Sequence, residues 1–273
     1  MDSRMQNHNE SPIVSVVIPV FNQIEYTKKC LESLLRDRDR PSYEIIVIDN
    51  GSIDGTREYL ESMTDSLRGT RDVFKPIFNA ENEGVAPAWN KGLKNANGEY
   101  IAILNNDIVV SNGWMRSLLW AMEQFKLGLI SPFAEVGGQI GYDFEARAER
   151  FTRRNFSKLW ADYDFCAFVL TRRTFDKIGY FDEGYRVGGY EDTDYAHRLK
   201  RAGVSYAVSG AAFIHHFGSR TLGEFKMRGD QHAPHNLSYF VEKWGFDPRH
   251  QQATAKAKIR RSIRRLKLHW DLM

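Results

Sequence analysis

Carboxylates, amides and imidazoles that could do chemistry gather at a few places in this 273-residue chain. The run YIAILNND (100–107) carries apolar residues straight into Asn105, Asn106 and Asp107. Asp107 is the candidate metal ligand. Mg²⁺ and Mn²⁺ prefer oxygen donors, and Mg²⁺ is often held by one or two carboxylates plus phosphates. One carboxylate is a thin site, and the His215-His216 pair can add an imidazole. A His beside a carboxylate suits Mn²⁺ more than Mg²⁺. Alternation along a strand lets only one His of the pair face a given side. Glu191, Asp192 and Asp194 follow Gly188-Gly189 inside one helical turn. The helix dipole favours acids there, so capping accounts for part of the cluster. That field also keeps a carboxylate ionised, as a general base requires. Near the N-terminus, Asn50 can donate to and accept from the edge of a base. Asp49 can take a ribose hydroxyl or hold its own loop. Phe21 can stack on a base, a contact worth about 1–3 kcal/mol.

Such scattered groups meet only if a fold delivers them to one place. IVSVVIPVFN (13–22) and YEIIVIDN (43–50) are continuous apolar runs closed by polar residues, the pattern of buried parallel strands. A third strand is expected at Val73–Phe78 and a fourth at 100–107. Helical periodicity fills the gaps: 25–36, then a helix capped by Thr56 and running to about Leu67, then a glycine-entered helix closed by Gly98. Strand, helix, strand, helix predicts an α/β fold with a parallel sheet covered on both faces. Right-handed crossovers then put Asp49-Asn50 and Asn105-Asn106-Asp107 along one edge. A helix at Trp114–Phe125, a strand at Leu127–Phe133, a strand at 165–173 and a helix from Glu191 to Ala202 come next. One or two last strands lie in YAVSGAAFIHHFG (206–218). Residues 134–162 show no clear period and are expected to be a long functional loop or partner surface.

Composition narrows the function. The chain is 42% apolar and 27% charged, enough for a sizeable core. Residues 253–273 hold seven Lys/Arg against Asp271, so the rest of the chain carries 38 − 7 = 31 basic against 35 − 1 = 34 acidic side chains. A basic body for nucleic acid is absent. The tail also spaces Ile259, Ile263, Leu266 and Trp270 as a narrow apolar stripe opposite a basic face. It could meet an anionic membrane surface, a partner protein or the body itself. Two cysteines, Cys30 and Cys166, are too few for a disulfide framework. Residues 1–12 read as a flexible leader without the apolar segment of a secretory signal, and no apolar run is long enough to cross a membrane. A cytoplasmic protein, peripheral to the membrane at most, is the expectation. There is no G-x-G-x-x-G after the first strand, no P-loop and no G-x-S-x-G elbow.

Taken in order, VSVVIPVFN, IIVIDNGSIDGT, NAENEGVAPAWNKGL, GEYIAILNNDIVV, GYFDEGYRVGGYEDTDYAHRLKRAG and FIHHFGSRT resemble the family 2 inverting glycosyltransferases of GT-A fold, in their rhamnosyltransferase-like branch. The resemblance covers about residues 13–223. It implies a mostly parallel, Rossmann-like mixed sheet flanked by helices. Residues 13–110 would bind the nucleotide, 111–223 would bind acceptor and carry catalysis, and 224–273 would form a basic helical C-terminal extension. By position, Pro19, Phe21, Asn22, Asp49 and Asn50 would hold base and ribose. Asn82, Gly84, Asn90, Asn105 and Asn106 would shape the donor site. Asp107, with His216 or alternatively His215, would hold Mn²⁺ or Mg²⁺. Asp192 would be the base, with Glu191 beside it. The metal motif here is N-N-D, so two of three possible acids are amides, which makes the His more important. The implied reaction moves a hexosyl or N-acetylhexosaminyl group from a UDP- or TDP-sugar to a glycan, lipid-linked or protein hydroxyl. That chemistry fits bacterial cell-surface polysaccharide or glycoprotein synthesis. The alternative is a weak or inactive binding protein on the same fold.

Overall fold

The computed structural model describes residues 14–37, 40–218 and 232–249. Four strands, β1 (Val14–Val20), β2 (Tyr43–Asp49), β3 (Val73–Phe78) and β4 (Tyr100–Leu104), pair in parallel in the order β3-β2-β1-β4. The sheet then reverses twice. β8 (Ala167–Thr171) lies antiparallel to β4, and β6 (Leu129–Val136) lies antiparallel to β8. β9 (Tyr206–His216) is parallel to β6, with a register shift after Pro132. β5 (Ile108–Val110) and β7 (Leu159–Trp160) pair antiparallel with β9. Two reversals restore the original direction, so β6 and β9 finish on the same edge as β1, β2 and β4. That edge is where open α/β sheets bind ligands.

Alternation along β1 sorts the core. Val14, Val16, Ile18 and Val20 pack with α1 (Ile24–Arg36), α2 (Thr56–Leu67) and α4 (Trp114–Phe125). Val17 points the other way, toward α3 (Val85–Asn95), α6 (Arg172–Ile178) and α7 (Glu191–Arg201). Beyond them, α5 (Phe144–Asn155) lays Phe144 and Phe151 against Phe133 and Phe213. The last helix described is α8 (His232–Trp244). No helix among the described residues is long and apolar enough to cross a membrane.

Two expectations change, and a third resolves within its stated range. Residues 134–162 are not one long loop: they finish β6, build α5 and add β7. The final strands are a single β9 of 11 residues. Thr56 does not cap α2 but is its first residue. Asp54 caps it instead, accepting from the Thr56 N–H (3.2 Å) and hydroxyl (2.6 Å), and its other oxygen takes the Ile24 N–H (2.9 Å). One aspartate thus sets the entry of two helices. The leader, the basic tail and its stripe lie outside the described residues.

Candidate active site

Asp107 sits in the tight turn between β4 and β5, and β5 pairs Ile108 with His216. That register brings His216 Nε2 to 3.1 Å from Asp107 Oδ1. Both side chains are buried. Burial alone would push the His216 imidazole down, but the contact with Asp107, and then the charge of Asp164, outweigh it and raise it. Despite the short approach, among the described residues His216 Nε2 makes no well-aligned hydrogen bond. His215 faces the opposite side, with Nδ1 3.3 Å from Glu135 Oε2. The alternation that left the pair ambiguous therefore places His216, not His215, beside Asp107. Of the flanking amides, Asn106 turns its side chain toward α1. Asn106 is buried and donates to Thr27 Oγ1 on α1 (3.0 Å), and the Asn105 N–H donates to the Cys166 carbonyl (2.8 Å).

The ends of β1 and β2 form a second cluster on this edge. Pro19 and Val20 stand opposite Ile48 and Asp49. Half-buried Phe21 leads into Asn22, which has φ 53°. Asn22 ties the loops together: its N–H donates to Ser52 Oγ (2.7 Å), and its Oδ1 accepts from the Ile53 N–H (2.9 Å). Asp49 is fully buried; Oδ1 accepts from the Ser52 N–H (2.9 Å), while Oδ2 has only Arg57 Nε at 3.7 Å and no hydrogen bond. A buried carboxylate oxygen without a partner costs about 1–3 kcal/mol or more.

Asn50 is differently employed. Its Nδ2 donates to Asn82 Oδ1 (2.8 Å) and the Gly84 carbonyl (3.1 Å), and its Oδ1 accepts from Asn79 Nδ2 (2.8 Å) and the Glu83 N–H (3.1 Å). An amide has two donors and one acceptor oxygen, so this one is fully engaged. It ties the loop after β2 to residues 79–84 rather than offering an edge to a base. Gly51 lies in that loop: its φ is 82°, and a Cβ there would fall 2.8 Å from Glu81 backbone. Asn90 is likewise engaged with neighbouring protein groups. It bonds the backbone of Phe181 in both directions (2.9 Å each) and Glu183 (2.8 Å), tying α3 to the segment before α7.

Glu191 and Asp192 open α7, whose entry residue Tyr190 is left-handed with no side-chain cap. Asp192 keeps part of its surface open, and Oδ1 accepts from the Thr193 N–H (2.6 Å) and hydroxyl (3.1 Å). Burial raises Asp192, the Thr193 bonds pull it back, and Asp164 adds to the rise. Glu191 is buried, its Oε2 has no partner among the described residues, and burial followed by the neighbouring Asp192 charge pushes it up to about 8. The helix field contributes only about 0.3–1 kcal/mol, so it does not keep Glu191 ionised as expected. Asp194 does no surface chemistry either. It is fully buried and accepts from Arg198 (2.9 Å), Trp244 (2.8 Å) and Tyr185 (3.3 Å).

Asp164 lies near Asp192 and His216, a neighbour that sequence reasoning missed. It precedes β8 and has its backbone pinned by Ser131 through two 3.0 Å bonds, and its charge reaches both Asp192 and His216. An acid between Tyr163 and Phe165, at a strand's start rather than its end, carries no recognisable signal.

The pair Asp107–His216 fits a divalent cation of the Mn²⁺ kind. A carboxylate oxygen and an imidazole nitrogen face each other, buried, and the nitrogen lacks a proper hydrogen-bond partner. Among the described residues no third His, Cys, Asp or Glu joins them. Remaining positions would fall to substrate oxygens and water.

Comparisons with known proteins bear on the family and the fold. The chain is 31% identical over 129 residues to TuaG of Bacillus subtilis (strain 168), assigned as a glycosyltransferase of teichuronic acid biosynthesis, matching 47% of this chain and 48% of that one. It is 32% identical over 105 residues to glycosyltransferase AglE of Haloferax volcanii, matching 38% of this chain and 33% of that one. The chain thus spans half or less of these curated relatives. Among solved structures, GalNAc-T7 with UDP, GalNAc and Mn²⁺ superposes with TM-score 0.63 at 16% identity, covering 86% of this chain and 48% of that one. The Pyrobaculum calidifontis mannosyltransferase PcManGT, in complex with GDP-Man and Mn²⁺, gives 0.61 at 17% identity, covering 86% and 66%. The fold is GT-A. The model of glycosyl transferase family 2 matches residues 15–179, and the chain belongs to that family.

Proposed function

We propose that the protein is an inverting glycosyltransferase that uses a nucleoside-diphosphate sugar, with UDP- or TDP-sugars favoured. The carrying observation is that Asp49 closes β2 and Asp107 follows β4 on one sheet edge, that Asp107 faces His216, and that the loop before Glu191-Asp192 bonds the start of α3. Family membership and relatives solved with UDP or GDP-Man and Mn²⁺ support the donor class.

Asp49 and Phe21 receive the nucleoside, and Asn50, Asn82 and Gly84 hold the wall it rests on. Asp107 and His216 would hold Mn²⁺ or Mg²⁺, which when bound supplies positive charge to the departing diphosphate. Asp192 takes the proton from an acceptor hydroxyl as that oxygen attacks the anomeric carbon. The C–O bond to the diphosphate breaks with its electron pair on the leaving oxygen, so a single displacement inverts the centre. Glu191, protonated at neutral pH, donates to a sugar oxygen. The acceptor is a hydroxyl of a glycan, lipid-linked or protein partner, reached from the cytoplasmic side.

The test measures diphosphate release from a panel of nucleotide sugars with Mn²⁺ and acceptor. Asp192→Asn should lower kcat by about 10³-fold or more with donor binding kept. No turnover by the wild type with any donor, or full activity in Asp192→Asn, overturns the reading.

A further inference from the structure

Helix α8 lies beyond the stretch matched by the family model, yet its inner side faces the catalytic loop. Asn236, Tyr239, Phe240, Lys243 and Trp244 recur at helical spacing along one face. Tyr239 and Lys243 bond Asp182, and Lys243 and Trp244 bond Asp194. Asn236 is fully buried, and every described polar contact of its side chain falls on loop backbone. Nδ2 donates to the carbonyls of Arg186 (2.9 Å), Gly189 (3.0 Å) and Gly188 (3.3 Å), and Oδ1 accepts from the Arg186 N–H (2.9 Å).

That loop needs an outside partner. Val187 has φ 56°, Gly189 φ 106° and Tyr190 φ 75°. A β-branched residue in the left-handed region is a strained conformer, and it persists only where the surroundings over-determine it. The same loop touches the donor side, because the Val187 carbonyl accepts from the Val85 N–H at the start of α3 (2.7 Å). We propose that Asn236 is a positioning residue, whose four hydrogen bonds hold residues 186–190 in the strained form that sets Glu191 and Asp192 at the donor edge. The inference rests on Asp192 acting as the base. A short amide suits the task, since it donates to carbonyls and accepts from an N–H at once. Aspartate has the same shape but would turn an acceptor oxygen toward three carbonyls.

The experiment compares Asn236→Asp and Asn236→Ala with the wild type, and with Leu60→Ala as a control of matched thermal destabilisation in the distant core. Hydrogen exchange at residues 187–192 should accelerate by about tenfold or more in both Asn236 variants and not in the control. Acceptor-dependent diphosphate release should fall in kcat by about tenfold to a hundredfold while donor KM moves less than about threefold. Asn236→Ala adds no charge and keeps the test valid if Asn236→Asp fails to fold. Unchanged exchange at 187–192, or a kcat loss no larger than that of Leu60→Ala, overturns the proposal. If the wild type transfers nothing, the proposed function falls, and exchange alone then decides whether Asn236 holds the loop.

Discussion

Asp107 and its two amide neighbours share one turn but face three different tasks. Asp107 meets His216, Asn106 reaches back to Thr27, and Asn105 contributes its backbone to β8 through Cys166. Asp107→Ala should therefore lower kcat/KM by about 10²-fold or more, while Asn105→Ala stays within about fivefold, measured as diphosphate release. Equal losses would count against Asp107 as the charged centre. The carboxyl of Glu191 permits a separate test by pH. Its folded value, about 8, lies above that of an unfolded glutamate. The folded state then binds the extra proton, so this group's stabilisation is complete below the unfolded value and is lost as pH rises through about 8. Glu191→Gln removes the titration. Its melting temperature should exceed that of the wild type by more at pH 8.5 than at pH 6, by roughly 2–4 °C per kcal/mol recovered. An identical difference at both values would show that Glu191 is ionised throughout.

At the scale of elements, helices position the site and also hold its halves together. Helix α3 carries Gly84 at its entry, Val85 against the catalytic loop, and Asn90 on the backbone of Phe181. Asn90→Ala would strand a buried N–H and carbonyl, at about 1–3 kcal/mol each. A drop in melting temperature of at least about 3 °C should result in calorimetry. A smaller change would mean that water replaces the amide. The sequence announced α3 through its glycines and periodicity, and it announced β1, β2 and β4 through apolar runs ending in amides and acids. Helix α5 was hidden, because its inward residues Phe144, Ala148 and Phe151 make a thin stripe among four arginines and three acids spread over 143–154. The functions of Asn50 and Asn90 were hidden for another reason. An amide at a strand end looks the same whether it greets a ligand or a neighbouring loop, and only the partners in space distinguish the two. Asn236 did sit in a readable stripe with Phe240, Lys243 and Trp244, but a polar residue in an apolar stripe gives no sign of what it holds.

For the molecule as a whole, the double reversal at β8 makes distant segments share an edge. The match to the family ends at residue 179, before α7, β9 and α8 have been reached. The match therefore spans the stretch expected to bind the nucleotide and continues through β8 and α6. The pairing of Ile108 with His216 carries this furthest. Asp107 and His216 stand roughly 110 residues apart in the chain, so closing their frame spends loop entropy that local contacts do not return, and it belongs to a late stage of folding. A ribosome must release nearly the whole sheet before the pair exists. A ligand that bridges them would then act on the barrier to unfolding and hardly at all on the barrier to folding. Stopped-flow denaturant jumps with and without Mn²⁺ should show the unfolding limb slowed and the refolding limb unmoved, with the slowing gone in Asp107→Ala. The short strand β5 would thereby serve as a kinetic latch, fastened last and opened first.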